Sequence, residues 1–598
     1  WGRPVKAGFR ACERLSGRLR ALPGTLRGAP IVEYYGNSGT TRKGNGMSED
    51  QAVTNEAPKA PIPQDGRAPR WMLPVLLAVH VTLAGYYAFL LPLWGSVPDE
   101  PLHYSHMKYV AENWRLPVIS TPFRDLSEYY TTADPATTGQ HGPLFYWPGA
   151  VIYKLTEGLT LKSQQYVLRM YSVVLGLLMV WLAWASFRLL FANRPWHAFA
   201  ATLLLVLVPH RLMIYGVIYL DSMAALTASL TLYALIRAVY VQPDWRGWLM
   251  VGGAQGLALL TKQSGLMLLP AVVLAPVILG RISREQWGAI ARRIGAVLIG
   301  VAVVSGWWYV RNVLVYGRIF PTDPGTPSVS LVDLLFAPEA PWFVWFVTRG
   351  WWLSLWSQVG WLPAWAARPL YGVLLALTVA VAVGLIVGLV RGFRRQPKEE
   401  RGLLFTFCLL ALTMFAAALQ WVMMLPHNNE ETGKHAQTML IALIPLVAAG
   451  WRPIIGEKRV PHALMLGAGL MLLFNVLSIY NLKTDLIPRY ARPDIPSATR
   501  KVKDLPSGSE PRVEHVPDVP HGDQVHDYQA GDPCPQHRQG ITAREAFDAD
   551  DKQQDQAHHR NQYVPPSGVE LHVHGPVGPL MAYEDQCQQQ PREVQRAA

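Results

Sequence analysis

Residues 370–390 read LYGVLLALTVAVAVGLIVGLV, a run of 21 residues with no charged side chain. A helix needs about 20 apolar residues to cross the hydrocarbon core of a bilayer. In lipid the backbone must satisfy its own hydrogen bonds, and a helix does so within one segment. The stretch therefore predicts a transmembrane helix.

Further apolar segments predict more helices on both sides of this one, although several are short for a full span. They are residues 71–94, 143–158, 167–191, 196–217, 220–241, 247–260, 264–279, 294–310, 402–424, 436–451 and 462–480. We therefore expect an all-α polytopic integral membrane protein with about 11–13 transmembrane helices.

The composition agrees with this class. Half of the residues (50%) are hydrophobic and 16% are charged, against roughly 25% charged in average soluble domains. The net charge of +12 comes from short basic clusters between apolar runs, which is the positive-inside pattern of membrane proteins. We therefore expect the lipid bilayer as a partner and no nucleic acid. The four cysteines have no CxxC spacing, so they indicate neither a disulfide framework nor a zinc site.

The basic clusters also predict an orientation. Arginines near 67–70, 188–194, 237–246, 281–293, 391–401 and 452–459 read as cytoplasmic. Residues 95–142, 311–369 and 425–435 then lie outside, and the first two of these loops are expected to form a cap. Parity is a problem, because eight segments precede loop 311–369 and an odd number is needed. One of the eight must therefore be re-entrant, interfacial or miscounted, and 143–158 and the 247–279 pair are the first candidates.

Both ends of the chain differ from the apolar middle. Residues 1–46 contain no Met, so a native start at Met47 is expected, with a disordered segment up to residue 70. The transmembrane domain is expected over 71–482. Residues 483–598 are polar and too poor in apolar pattern to offset the entropy of ordering. They read either as an extracytoplasmic tail or as out-of-frame sequence.

Two adjacent carboxylates, Asp99 and Glu100, follow the first predicted span by a few residues. A carboxylate held at the membrane surface could take the proton of an acceptor hydroxyl, and partial desolvation would make it a better base. Ordinary surface acids in a solvated loop are the equal alternative.

Several stretches carry a family resemblance. They are Asp99-Glu100-Pro101-Leu102-His103-Tyr104, His141-Gly142-Pro143-Leu144-Phe145-Tyr146, Leu260 to Gly265 (LTKQSG), Trp307 to Asn312 (WWYVRN), and Gly433-Lys434-His435. Over residues 71–480 the chain resembles the GT-C superfamily of membrane glycosyltransferases. More narrowly, it resembles bacterial protein-mannosyltransferase-like and aminoarabinose-transferase-like enzymes that use polyprenyl-phosphate sugars. Gly142 departs from the pattern, since the family usually has a second Pro there.

The resemblance implies an inverting transfer of a hexosyl or pentosyl group from a polyprenyl-phosphate donor to a hydroxyl acceptor on protein, lipid or glycan. Asp99 takes the position of the general base or acceptor-orienting carboxylate, with Glu100 in a supporting role. The active site would face outward from the plasma (inner) membrane.

The leaving phosphate gains negative charge, so fixed cations are expected near it. The candidates are Lys262, Arg311, Lys434 and His435. For Lys262 and Arg311 the alternative is snorkelling, in which the head group reaches the interface along an apolar stem.

Other polar residues carry weaker expectations. His103, His141 and Tyr146 are candidate substrate-loop residues, and for the two histidines a hydrogen-bonded loop role is the alternative. Arg211 is a weaker candidate. Asp221 opens an apolar helical run and is equally well read as an N-cap.

No bound cofactor is indicated. Some branches of the superfamily need a divalent metal and others do not, and we expect none here. The sequence has no Walker-type loop and no dinucleotide fingerprint, so a soluble nucleotide-sugar donor is not expected. The rival functions are a multispan transporter or flippase, which usually shows internal repeats, and a catalytically silent assembly subunit.

Overall fold

The computed structural model describes residues 68–93, 99–119, 138–321, 345, 349–350, 352–356, 358–359, 362–363, 368–393, 409, 412, 415, 437–490 and 501. The chain divides into two units, Trp1–Arg512 and Val513–Ala598. All described residues belong to the first unit.

The described residues are almost entirely helical. In chain order the α-helices are α1 (Met72–Leu90), α2 (Glu100–Asn113), α3 (Tyr146–Leu155), α4 (Leu161–Leu190), α5 (Pro195–Val206), α6 (Pro209–Tyr215), α7 (Leu220–Tyr240), α8 (Trp245–Thr261), α9 (Leu269–Ile282), α10 (Trp287–Tyr316), α11 (Arg368–Phe393), α12 (Leu440–Ile455), α13 (Val460–Asn481) and α14 (Ile487–Tyr490). Two-residue strands β1 (Gln358–Val359) and β2 (Leu362–Pro363) pair antiparallel.

The predicted fold class is confirmed. Within the described ranges, eight helices are long and apolar enough to cross a membrane, or nine if the bent pair α5–α6 counts as one span. Helix α8 has 17 residues, so it would extend about 26 Å. Apart from residues 409, 412 and 415, the span predicted at 402–424 lies outside the described residues.

Helix α3 corresponds to the predicted segment 143–158, one of the two candidates for the miscounted span. With 10 residues it extends about 15 Å, half of the hydrocarbon core. Both of its ends meet the same end of the bundle: the Tyr146 hydroxyl lies 2.9 Å from Nδ1 of His103, and the Tyr153 carbonyl accepts from Gln164. Helix α3 is therefore too short to cross the membrane alone, and it is not among the candidate spans of the described residues.

The end of the bundle opposite α3 gathers basic residues that the sequence assigned to the cytoplasmic side. Arg194, after α4, and Arg452, near the end of α12, both pair with Glu457. Arg293 of α10 donates to the carbonyl of Pro243 between α7 and α8. The basic residues that the sequence analysis assigned to the cytoplasmic side thus make contacts between segments that are distant in sequence.

Helices α8 and α10 pack through glycines. A Cβ on Gly252 would lie 2.1 Å from the Val297 carbonyl oxygen, and one on Gly300 would lie 2.6 Å from the Leu249 carbonyl oxygen. In lipid, where apolar side chains gain little by association, small residues allow the close backbone approach that holds helices together. This spacing fixes α8, and with it the position of Lys262 at its end.

The helix predicted at 196–217 is broken, with a 67° bend directly before Pro209. Proline lacks an N–H and disfavours helical geometry in the preceding residue. The fully buried Arg211 guanidinium donates to Nδ1 of His80 at 3.3 Å and towards the Val206 carbonyl at 3.4 Å. Arg211 thus stabilises the break and lies against α1 and α4.

The glycine packing predicts different effects for two neighbouring positions. Gly252→Ala should lower the free energy of unfolding by about 1–3 kcal/mol because the added methyl group collides with Val297. Gly253→Ala is the matched control, since nothing lies within 4 Å of its Cβ position. Thermal unfolding in detergent measures both, and equal midpoints for the two variants would contradict the packing argument.

Candidate functional site

The Glu100 carboxylate is buried and paired with Arg169 in two parallel hydrogen bonds. Arg169 Nε donates to Oε1 at 2.7 Å and Nη2 donates to Oε2 at 2.6 Å. The Ile218 backbone N–H also donates to Oε1, at 3.0 Å. A bidentate guanidinium–carboxylate pair is the strongest geometry for such a contact, and burial makes its loss costly.

The remaining N–H groups of Arg169 satisfy the end of helix α1. Nη1 donates to the carbonyls of Ala88 and Leu91 at 2.8 and 2.7 Å, and Nη2 donates to that of Pro92 at 2.9 Å. The last carbonyls of a helix lack intrahelical partners and carry partial negative charge. Arg169 therefore joins α1, α2 and α4 while neutralising Glu100, which gives Glu100 a structural role.

Asp99 differs from its neighbour in both exposure and partner. It directly precedes α2, is partly exposed, and makes no side-chain cap to the helix. Its Oδ2 accepts a 2.6 Å hydrogen bond from the Tyr219 hydroxyl. Asp99 is therefore the more exposed member of the pair, and its described partner is a hydroxyl group, whereas that of Glu100 is a guanidinium.

Helix α2 also positions His103 and His106 against Tyr146. The His106 ring stacks on the Tyr146 ring with centroids 3.5 Å apart, while His103 meets the Tyr146 hydroxyl. All three residues are buried, so these predicted loop side chains form a packed aromatic layer beside Asp99.

His141 lies at the end of the first loop, close to charged residues. Burial lowers the pKa of His141 well below its ordinary value, and the neighbouring Lys262 lowers it further, while Asp221 and Asp99 act in the opposite direction. These surroundings favour the neutral form of the His141 ring.

Lys262 follows α8 directly and pairs with Asp221 at the start of α7. Its Nζ lies 2.9 Å and 3.0 Å from the two carboxylate oxygens, and both residues are buried. Lys262 is thus buried and paired with a carboxylate, whereas a snorkelling lysine would extend its head group to the membrane surface. Asp221 is likewise an ion-pair partner, since the residue at the N-cap of α7 is Tyr219.

Arg311 lies near the end of α10 and contacts the first loop. Its guanidinium lies over the Trp308 ring at 4.7 Å, and Nη2 donates to the Pro117 carbonyl at 3.3 Å. The Tyr316 hydroxyl accepts from the Ile119 backbone N–H at 3.2 Å. The two loops predicted to form a cap therefore touch where they are described.

Gly142 is pressed against the end of α8. A Cβ at this position would lie 1.7 Å from the Leu260 carbonyl oxygen. Any side chain at position 142 would therefore collide with the end of α8, next to Lys262.

The remaining predicted residues can be placed only in part. Lys434 and His435 lie outside the described residues. Sequence reasoning missed Arg169 and Tyr219; Arg169 could have been noticed as a charge within an apolar run, whereas Tyr219 carried no such signal. Among the described residues, no three His, Cys, Asp or Glu side chains are grouped to hold a metal ion. The expectation of no metal stays a prediction.

Comparison with protein families agrees with the motifs. Residues 140–309 match the family model of dolichyl-phosphate-mannose-protein mannosyltransferases. Over this segment the chain is therefore similar to protein mannosyltransferases, in agreement with the resemblance that the motifs carry. The segment contains His141, Arg169, Tyr219 and Lys262, while Asp99 and Arg311 lie beyond its ends. No curated protein matches the chain in sequence.

Solved structures with distant similarity were also found. ArnT from Cupriavidus metallidurans bound to undecaprenyl phosphate aligns with 15% identity and a TM-score of 0.42, covering 70% of this chain and 79% of ArnT. The Archaeoglobus fulgidus oligosaccharyltransferase in complex with zinc and sulfate aligns with 15% identity and a TM-score of 0.44, covering 71% of this chain and 54% of that one.

The buried ion pair predicts a large stability effect. Glu100→Gln should lower the free energy of unfolding by about 3–5 kcal/mol, because it leaves the Arg169 charge buried without its counterion. Glu157→Gln is the control, since Glu157 pairs with Lys154 near the surface, where such pairs contribute about 0–1 kcal/mol. Denaturation of both variants in detergent tests this, and a similar loss in each would contradict the assignment.

The close contact at Gly142 predicts a second effect. Gly142→Ala should displace the end of the first loop from α8 and reduce activity at least about tenfold, because small displacements of positioning groups cost large rate factors. Gly158→Ala is the control, a loop glycine with nothing within 4 Å of its Cβ position. Sugar transfer by each variant is compared with wild type, and full activity in Gly142→Ala would show that the contact is dispensable.

Proposed function

Because residues 140–309 match a family of membrane mannosyltransferases, we propose that this chain is an inverting glycosyltransferase. It moves a sugar from a polyprenyl-phosphate-linked donor to a hydroxyl acceptor on protein, lipid or glycan at the outer face of the membrane. The donor sugar is a hexose or a pentose.

The contrast between Asp99 and Glu100 carries the proposal. Glu100 is neutralised by Arg169 and buried, whereas Asp99 is partly exposed and held through one oxygen by Tyr219. Two adjacent acids in such different environments are suited to different roles. Asp99 fits a general base, and Glu100 fits the structural support that fixes the start of α2.

The chemistry follows from that placement. Asp99 accepts the proton of the acceptor hydroxyl as its oxygen bonds to the anomeric carbon of the donor. The bond from that carbon to the phosphate oxygen breaks, and its electron pair leaves with the lipid phosphate. The transition state resembles an oxocarbenium ion, and positive charge near the phosphate oxygens stabilises the leaving group.

The side of the membrane is argued from the distribution of basic residues. Lys262 follows the last residue of α8 and Arg311 lies near the end of α10, whereas Arg293 lies near the start of α10 and contacts Pro243, just before α8. Basic clusters favour the cytoplasmic side. This supports a site on the outer face of the plasma (inner) membrane.

The test is sugar transfer from a panel of short synthetic polyprenyl-phosphate hexoses and pentoses, measured in nanodiscs. Asp99→Asn should reduce transfer by about two or more orders of magnitude, the range expected for loss of a general base. Asparagine keeps the size of aspartate and cannot accept the proton as a carboxylate does.

Glu157→Gln serves again as the control and should transfer sugar at the wild-type rate. Wild-type activity in Asp99→Asn would exclude Asp99 as the base. If folded wild-type protein transferred no sugar from any donor, a flux assay in liposomes would test the transporter alternative.

A further inference from the structure

The segment between α6 and α7, residues 216–219, is held at several points. A Cβ on Gly216 would lie 3.0 Å from the Tyr87 Cβ, so the segment lies close against α1. The Ile218 N–H donates to Glu100. The Ser222 hydroxyl donates to the Tyr219 carbonyl at 2.7 Å. The backbone of Tyr219 is therefore fixed relative to the start of α2.

The Tyr219 side chain is fixed as well. The residue is 4% exposed, and its ring meets the His103 ring edge to face with centroids 5.4 Å apart. Its hydroxyl donates to Oδ2 of Asp99 at 2.6 Å, a length typical of hydrogen bonds to a charged oxygen. A buried, packed donor thus points at the carboxylate of the proposed base.

We propose that Tyr219 is a positioning residue that sets the orientation of the Asp99 carboxylate; this rests on the proposed function. A carboxylate on a short side chain can rotate about its last bond, which moves its proton-accepting lone pairs. The bond from Tyr219 to Oδ2 fixes the carboxylate plane, and so sets the direction in which Asp99 receives the acceptor proton. Tyr219 acts through Asp99 and touches no substrate.

The geometry favours this role over simple helix capping. Tyr219 occupies the N-cap of α7, but its side chain makes no cap hydrogen bond to the helix. Instead the ring extends to α2, where Asp99 lies. The same segment supplies the Ile218 N–H to Glu100 and the Tyr219 hydroxyl to Asp99, so both carboxylates are aligned by consecutive residues.

The experiment is Tyr219→Phe, assayed with the polyprenyl-phosphate sugar that wild type uses. The turnover number kcat should fall about 10- to 100-fold, the range for losing one hydrogen bond to a charged group. The KM for the donor should stay within about twofold. Added to Asp99→Asn, Tyr219→Phe should cause no further loss, since residues that act as a unit are non-additive.

The pH profile gives a readout that a merely structural role would not move. The titratable groups around Asp99 come from several elements. They are Tyr219 from the segment, His103 from α2, His141 from the loop end and Tyr146 from the start of α3, with the Glu100–Arg169 pair adjacent and Asp221 and Lys262 beyond. The hydrogen bond from Tyr219 favours the charged form of Asp99. Without it, protonation occurs more readily, so the acidic limb of kcat should move to higher pH.

Tyr233→Phe is the control, because Tyr233 lies about 21 Å further along the same helix; it should retain wild-type kcat. A Tyr219→Phe variant with wild-type kcat and pH profile would overturn the proposal. The proposal would also be overturned if Tyr219→Phe lowered the thermal midpoint along with the activity and left the acidic limb of the kcat profile unmoved, because the role would then be structural. If Asp99→Asn itself were fully active, the proposed function would fail first, so the two failures are distinguishable.

Discussion

The ion pair between Glu100 and Arg169 is the constraint on which the site depends. A carboxylate and a guanidinium placed inside an apolar bundle each lose their hydration, and only mutual neutralisation with complete hydrogen bonding offsets that loss. Arg169 also caps the end of α1 by donating hydrogen bonds to three backbone carbonyls. Helices α1, α2 and α4 therefore meet at one buried guanidinium, and the start of α2 cannot shift without breaking it.

Fixing the start of α2 determines the surroundings of Asp99. Because Glu100 is anchored inward, its preceding neighbour is placed at the edge of the bundle, where Tyr219 reaches it. Two residues of the same charge in adjacent positions thus obtain opposite environments. Ile218 contacts Glu100 and Tyr219 contacts Asp99, so the two residues meet the two acids in opposite chain order. Because one short segment holds both acids, a shift of that segment would affect both.

The fold was predictable from sequence because uninterrupted apolar length determines where a chain crosses a bilayer. At residues 143–158, an aromatic, apolar composition hid a helix of only 10 residues. For the site, the sequence indicated which residues are candidates but not which contacts they make. Sequence placed Asp99 and Glu100 side by side but could not assign their roles, since the partners Arg169 and Tyr219 lie 69 and 120 positions away. Such partners emerge only from packing.

Charge balance limits how this end of the bundle can receive a phosphate. Arg169 is neutralised by Glu100 and Lys262 by Asp221, so neither offers an incoming anion the attraction of an unpaired cation. Desolvation and the neighbouring Lys262 lower the pKa of His141 below its ordinary value, which favours its neutral form. Arg311 lies over Trp308 and contacts a backbone carbonyl, without a carboxylate partner among its described contacts. Under the proposed function we therefore expect Arg311 to contact the donor phosphate, because Lys262 is already paired with Asp221.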